Sequence, residues 1–129
     1  MITGSIVALV TPMMPDGAID KKGLATLIEY HIQSDTAALG IAGTTGESAT
    51  LTMSEHIDVI RFAVEQAAGR IPVVAGTGSN STHEAIELTV AAAAAGAEYS
   101  LLVTPYYNKP PQEGLYRHFC QVAAAVNIP

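Results

Sequence analysis

Tryptophan is absent and cysteine occurs once, at Cys120. An internal disulfide is therefore impossible, and most cysteine-based metal sites are excluded. Charged residues make up only 14 % of the 129 positions, little for the solvated surface of a free-standing chain of this size. More chain or a partner subunit is expected to cover part of that surface. The six basic residues, Lys21, Lys22, Arg61, Arg70, Lys109 and Arg117, are scattered, with no stripe to follow a nucleic-acid backbone. No apolar run reaches the roughly 18 residues of a membrane-spanning helix. The opening Met-Ile-Thr-Gly has no basic region ahead of an apolar segment, as a secretory leader would. The expectation is a soluble cytoplasmic protein that engages neither nucleic acid nor membrane.

What is present is a regular alternation. Hydrophobic residues account for 49 % of the chain, the net charge is −6, and the length suits one domain with one core. Apolar runs near 5–10, 38–42, 71–75 and 100–103 read as strands. Their continuous apolarity is the pattern of parallel strands buried on both faces. Each is followed by a helical pattern. Asp20 can cap a helix carrying Leu24, Leu27, Ile28 and Ile32 on one face, with His31 beside it as a packing or surface residue. Thr52-Met-Ser-Glu55 and Ser81-Thr-His-Glu84 are capping-box patterns. Gly69 and Gly96 are expected to end the two helices they open, and a last helix carries Leu115, Phe119, Val122 and Val126, with Cys120 off its apolar face. Four strand–helix units in this spacing fit either a doubly wound open sheet or part of an eight-stranded barrel. No Gly-x-Gly-x-x-Gly follows the first strand, which weakens a dinucleotide-binding reading.

Polar loops follow three successive strands: Thr44/Thr45, Thr77/Asn80 and Tyr106/Tyr107. A ring of such loops at one rim is what a barrel active site needs. The densest is Gly43-Thr-Thr-Gly-Glu-Ser48, whose glycines let the backbone turn and approach a ligand. Its N–H groups and hydroxyls suit a small carboxylate or phosphate.

Four stretches then carry a family resemblance: Gly4-Ser-Ile-Val-Ala-Leu-Val-Thr-Pro12, Gly43-Thr-Thr-Gly-Glu-Ser-Ala-Thr50, Gly69-Arg-Ile-Pro-Val-Val-Ala-Gly-Thr-Gly78 and Val103-Thr-Pro-Tyr-Tyr-Asn-Lys-Pro110, with Gln112-Glu-Gly-Leu-Tyr116 beside them. Over its whole length the chain resembles the N-terminal half of the 4-hydroxy-tetrahydrodipicolinate (dihydrodipicolinate) synthases, within the pyruvate-dependent class I aldolases. The resemblance implies a TIM (β/α)8 barrel, of which residues 1–129 would be about the first four βα units, in a homotetramer built from tight dimers. It implies condensation of pyruvate with L-aspartate 4-semialdehyde in lysine biosynthesis, through a lysine Schiff base, with no cofactor and no metal. That lysine would lie on a sixth strand. Lys21 and Lys22 open the first helix and Lys109 lies in a loop, so none of them fits the role, and the 129 residues alone are expected to be inactive.

The resemblance also distributes roles. Thr45 would bind the pyruvate carboxylate. Thr44 and Tyr107 would be members of a proton relay, Tyr107 reaching into a neighbouring subunit's site. A threonine hydroxyl both donates and accepts, so it can pass a proton between two tyrosines. Gly43, Gly46 and Glu47 would set the loop's geometry, Glu47 bracing it through N–H groups. Ser48, Ala49, His56, Asn80, Glu84 and Tyr106 would form a feedback cleft for L-lysine, with Glu84 holding the inhibitor's ammonium. Where lysine-inhibited members carry a further histidine, this chain has Met53, which cannot donate a hydrogen bond. Either inhibition is weaker, or Met53 only packs the cleft edge. His83 reads as a surface residue.

Two other readings stand beside this one: N-acetylneuraminate lyase or another pyruvate-dependent keto-acid aldolase, and a non-catalytic half-barrel. A serine is common at the Thr44 position in the former, and the Ser48-Ala-Thr50 continuation is rare there. An isolated half-barrel would leave Val7, Leu9, Ile41 or their neighbours against water, and is expected to pair with another copy, aggregate or stay partly unfolded.

Overall fold

A computed structural model describes residues 2–129. Four strands, β1 (Ile6–Ala8), β2 (Ala38–Ile41), β3 (Val73–Gly76) and β4 (Tyr99–Leu101), alternate with four helices, α1 (Lys21–Gln33), α2 (Met53–Ala67), α3 (Thr82–Ala94) and α4 (Gln112–Ala124). The sheet is wholly parallel in the order β1-β2-β3-β4, with Val7 opposite Leu39, Ile41 opposite Ala75 and Ala75 opposite Ser100. Each strand pairs with the next in sequence, which is the winding of a (β/α)8 barrel and not of a doubly wound sheet. The Ser100 N–H donates to the Pro129 carbonyl (2.8 Å), so the chain returns alongside β4 as it would to continue the sheet.

The regular strands are shorter than the apolar runs, because pairing needs a partner on each side and β1 and β4 lie at the edges. The helices begin where their caps are. The Asp20 carboxylate accepts from the Gly23 N–H (2.9 Å), and Thr52 and Glu55 exchange both bonds of a capping box. The second expected capping box is half made. Ser81 accepts from the Glu84 N–H, but the Glu84 carboxylate accepts from the Ser79 hydroxyl (2.6 Å), a nearer and stronger donor than the Ser81 N–H. α2 ends at Ala67, two residues before its expected glycine, because Ala68 itself turns left-handed at φ 48°. Arg70 then reaches back to Glu29 on α1 with two bonds, 2.6 and 2.9 Å, tying the ends of α1 and α2 together.

One face of the sheet packs on the helices. Leu9, Leu39, Ile41, Val73 and Ala75 meet Leu24 and Ile28 of α1 and Val59, Ile60 and Ala63 of α2 in a single buried cluster, with Val7 half-buried at its edge. Of the two sets expected against water, Leu9 and Ile41 are buried in this cluster, and it is their neighbours that lie on the uncovered face. The other face carries Ile6, Gly40, Val74 and Leu101, and Ile6 and Leu101 are 53 % and 56 % exposed. Continuous apolar runs contain no alternation from which the two faces could be told apart.

Candidate active site and adjoining cleft

The Thr44–Thr45 loop leaves the C-terminal end of β2 through Ala42, at φ 54°, and re-enters regular structure through Glu47, at φ 57°. Both left-handed residues are non-glycine, contrary to the expectation that the glycines supply the turn. Gly46 serves close approach instead: a Cβ there would stand 3.1 Å from the Leu9 carbonyl oxygen and 3.2 Å from the Ala42 Cα. Around Gly43 the space is open. Glu47 fixes the loop through its main chain. Its N–H donates to the Thr44 carbonyl (3.0 Å), and its own carbonyl accepts from the Thr50 N–H and hydroxyl (2.9 Å each). A bond from the Ser48 N–H to the Gly43 carbonyl (3.3 Å) closes the turn. From below, the buried Thr11 hydroxyl donates to the Gly46 carbonyl at 2.7 Å.

This frame leaves the Thr44 and Thr45 side chains exposed above the uncovered face of the sheet. Both line a cavity of about 330 Å³ whose wall includes Ile6, Ala8, Val74 and Leu101. Two hydroxyls at the mouth of an apolar bowl can orient a small anion without burying a positive charge.

A second cavity, of about 450 Å³, lies on the other side of Thr44, which borders both. Ser48, Ala49, Met53, His56, Glu84 and Tyr106 line it. The buried His56 is fixed by a 2.6 Å bond between its Nε2 and the Gly76 carbonyl. A carbonyl only accepts, so Nε2 carries the proton in the neutral ring and Nδ1 keeps a lone pair. Burial holds the His56 pKa below its usual value, outweighing the Gly76 carbonyl and the Glu84 charge, which pull upward. A carboxylate and an imidazole acceptor in a largely apolar cleft suit a small molecule bearing an ammonium group. Asn80 stands outside that lining, and its side-chain amide donates to the Tyr106 carbonyl (3.2 Å).

The aromatic pair diverges. Tyr106 lines the cleft, whereas Tyr107, at φ 69°, is 94 % exposed and borders neither cavity. Among the described residues no hydrogen bond joins Tyr107 to Thr44, so this chain does not by itself bring the two expected relay members together. Lys21, Lys22 and Lys109 border neither cavity, and the Lys21 ammonium lies 5.6 Å from the Phe62 ring centroid. His83 is exposed beside Glu87, and Cys120 is exposed on α4. Three contributors escaped sequence reasoning: Thr11, Ser79 and Asn108. Thr11 and Asn108 lie within the family-like stretches, but nothing about a threonine ending a strand or an asparagine among prolines shows which carbonyl it will reach. Among the described residues no helix is long and apolar enough to cross a membrane, and no cluster of three or more histidine, cysteine or carboxylate side chains could hold a metal ion.

Known proteins share this arrangement. The chain is 66 % identical, over all of its 129 residues, to the 4-hydroxy-tetrahydrodipicolinate synthase of Methylococcus capsulatus, and it spans 44 % of that protein. The chloride-inhibited dihydrodipicolinate synthase of Acinetobacter baumannii, solved in complex with pyruvate, superposes with a TM-score of 0.98 at 56 % identity, over 100 % of this chain and 44 % of that one. The enzyme of Cyanidioschyzon merolae, solved with lysine bound, superposes with a TM-score of 0.95 at 44 % identity, over 99 % of this chain and 44 % of that one. The chain thus spans less than half the length of the relatives it matches. The profile of the dihydrodipicolinate synthetase family matches residues 1–129 from end to end, and the chain belongs to that family.

Proposed function

We propose that these residues form the first half of a (β/α)8 barrel that condenses pyruvate with L-aspartate 4-semialdehyde to give 4-hydroxy-tetrahydrodipicolinate, in the cytoplasm, on the way to lysine. The observation that carries this reading is the Thr44–Thr45 pair at the end of β2, opening on an apolar bowl. Thr45 and the loop N–H groups hold the pyruvate carboxylate. A lysine outside these residues condenses with the pyruvate carbonyl and releases water. Loss of a methyl proton gives the enamine, whose carbon attacks the aldehyde, the relay of Thr44 and Tyr107 delivers a proton to the oxygen that becomes the alcohol, and the adduct's own amine then displaces the lysine as the ring closes. Tyr107 stands clear of its own chain's cavities, which agrees with its serving a neighbouring subunit in a tetramer of tight dimers. The cleft of His56, Glu84 and Tyr106 takes L-lysine as a feedback inhibitor: its ammonium meets the Glu84 carboxylate and the His56 Nδ1, and its methylene chain lies near Met53. The pyruvate complex and the lysine complex of the two solved relatives support these ligand assignments.

Borohydride reduction of the whole enzyme with pyruvate tests the reaction. A single pyruvate-derived mass is expected on a lysine other than Lys21, Lys22 and Lys109. Labelling of one of those three, or of none, overturns the proposal. Thr45→Val should raise the KM for pyruvate by an order of magnitude or more, while a change of less than twofold would remove Thr45 from the site.

A further inference from the structure

The loop between β4 and α4 holds Tyr107 in a backbone conformation that a tyrosine rarely adopts. The Asn108 N–H donates to the Tyr106 carbonyl (2.8 Å), closing a three-residue turn, with Tyr107 at its centre at φ 69°. A γ-turn with its central φ positive is rare and strained, and more so for a bulky residue than for glycine. Such a conformation persists only where its surroundings over-determine it. Here the surroundings are a pair of amides. The Asn108 side-chain amide donates to the Asn80 carbonyl (3.1 Å), and the Asn80 side-chain amide donates to the Tyr106 carbonyl (3.2 Å). The Tyr106 carbonyl thus accepts from both asparagines, and the strained turn is pinned to the residue just before the α3 N-cap. Pro105, which is buried, and Pro110 stiffen the loop on either side.

We propose that Asn108 is a positioning residue: its latch to Asn80 holds Tyr107 in the strained turn that aims the phenol outward, towards the site it serves. This role rests on Tyr107 being the relay residue proposed above. Tyr107 is 94 % exposed, so its own chain offers the ring no packing that would orient it. Direction comes from the backbone, and the backbone is set by the latch. The Thr45 loop lies on a different strand end and is untouched, so pyruvate binding is independent of the latch.

Kinetics of Asn108→Ala, Asn108→Asp and Tyr107→Phe in the whole enzyme, singly and combined, decide the matter. Asn108→Asp keeps the side chain's size but turns an oxygen towards the Asn80 carbonyl. Both Asn108 variants should lower kcat about tenfold, with the KM for pyruvate within twofold and the thermal midpoint unchanged. Tyr107→Phe should lower kcat further, and adding Asn108→Ala to it should change kcat by less than twofold, because nothing remains to be aimed. Asn108 variants within twofold of the parent, beside an impaired Tyr107→Phe, would reject the latch and leave the relay standing. Losses that multiply in the double variant would also overturn the role, since Asn108 would then act by another route. A fully active Tyr107→Phe would instead remove the relay reading, and the latch with it.

Discussion

His56 Nε2 and the Gly76 carbonyl oxygen meet at 2.6 Å, joining the first turns of α2 to the last residue of β3 beneath the floor of the larger cleft. The bond satisfies a buried carbonyl at the strand end, and it fixes which imidazole nitrogen stays free.

Because burial lowers the His56 pKa from 6.5, the folded state prefers the neutral ring. The stabilisation is present above the unfolded value and is lost as pH falls through the depressed folded value. His56→Gln keeps an amide donor for Gly76 and does not titrate. Urea unfolding at pH 7.5 and at pH 5 should show the parent losing more stability than this variant over that interval. An equal loss in both would exclude His56 as the source.

Gly76 has no room for a side chain. A Cβ there would overlap the Ala42 carbonyl oxygen and stand 2.8 Å from its carbon, and both are backbone atoms that cannot rotate aside. Gly76→Ala should cost at least about 3 kcal/mol, the upper range for forced overpacking. Gly43→Ala, where the space is open, serves as the control and should cost well under half of that. Denaturant midpoints of the two variants make the comparison.

Thr11 braces the Thr44–Thr45 loop through one buried bond to Gly46. Thr11→Val keeps the shape and leaves that carbonyl without its donor, a loss of about 1–3 kcal/mol. Thr11→Ser should recover most of it. If the loop depends on this brace, the valine variant also binds pyruvate more weakly than the serine variant, which titration at equal folded fraction would show.

Tyr107→Phe removes the phenolic proton and keeps the ring. Turnover of the whole enzyme should fall by roughly 10²-fold, the scale of a positioned proton-transfer group. Its oligomeric state, followed by sedimentation, should not change. Turnover within threefold of the parent would make Tyr107 an interface ring and no more.

Much of this was legible in the residues. The helix starts at Asp20, Thr52 and Ser81 were readable because a cap is a local event, settled within three or four residues. The four strands were readable as existing, though not in extent: the run at 5–10 shrinks to Ile6–Ala8, and the one at 100–103 becomes Tyr99–Leu101, starting one residue earlier and ending two earlier. The Thr44–Thr45 loop was found from its glycines, yet the turning is done by Ala42 and Glu47. Glycine marks where a left-handed residue is cheap, not where one must occur. Glu84 looked like half of a capping box, and Ser79, five residues back, took its carboxylate.

The sequence by itself determined the alternation of strand and helix, the parallel sheet implied by continuous apolar runs, the polar rim loops and the family. These follow from short-range periodicity and from motifs that carry their own backbone geometry. Tertiary structure alone decided which side of each strand meets the helices, that Leu9 and Ile41 are buried while Ile6 and Leu101 are not, and that Thr11, His56 and Asn80 reach the Gly46, Gly76 and Tyr106 carbonyls. Each of those contacts spans at least 20 residues of sequence, from the 20 between His56 and Gly76 to the 35 between Thr11 and Gly46. Their partners are main-chain carbonyls, which every residue possesses, so only the packing of the sheet and its helices selects one among them.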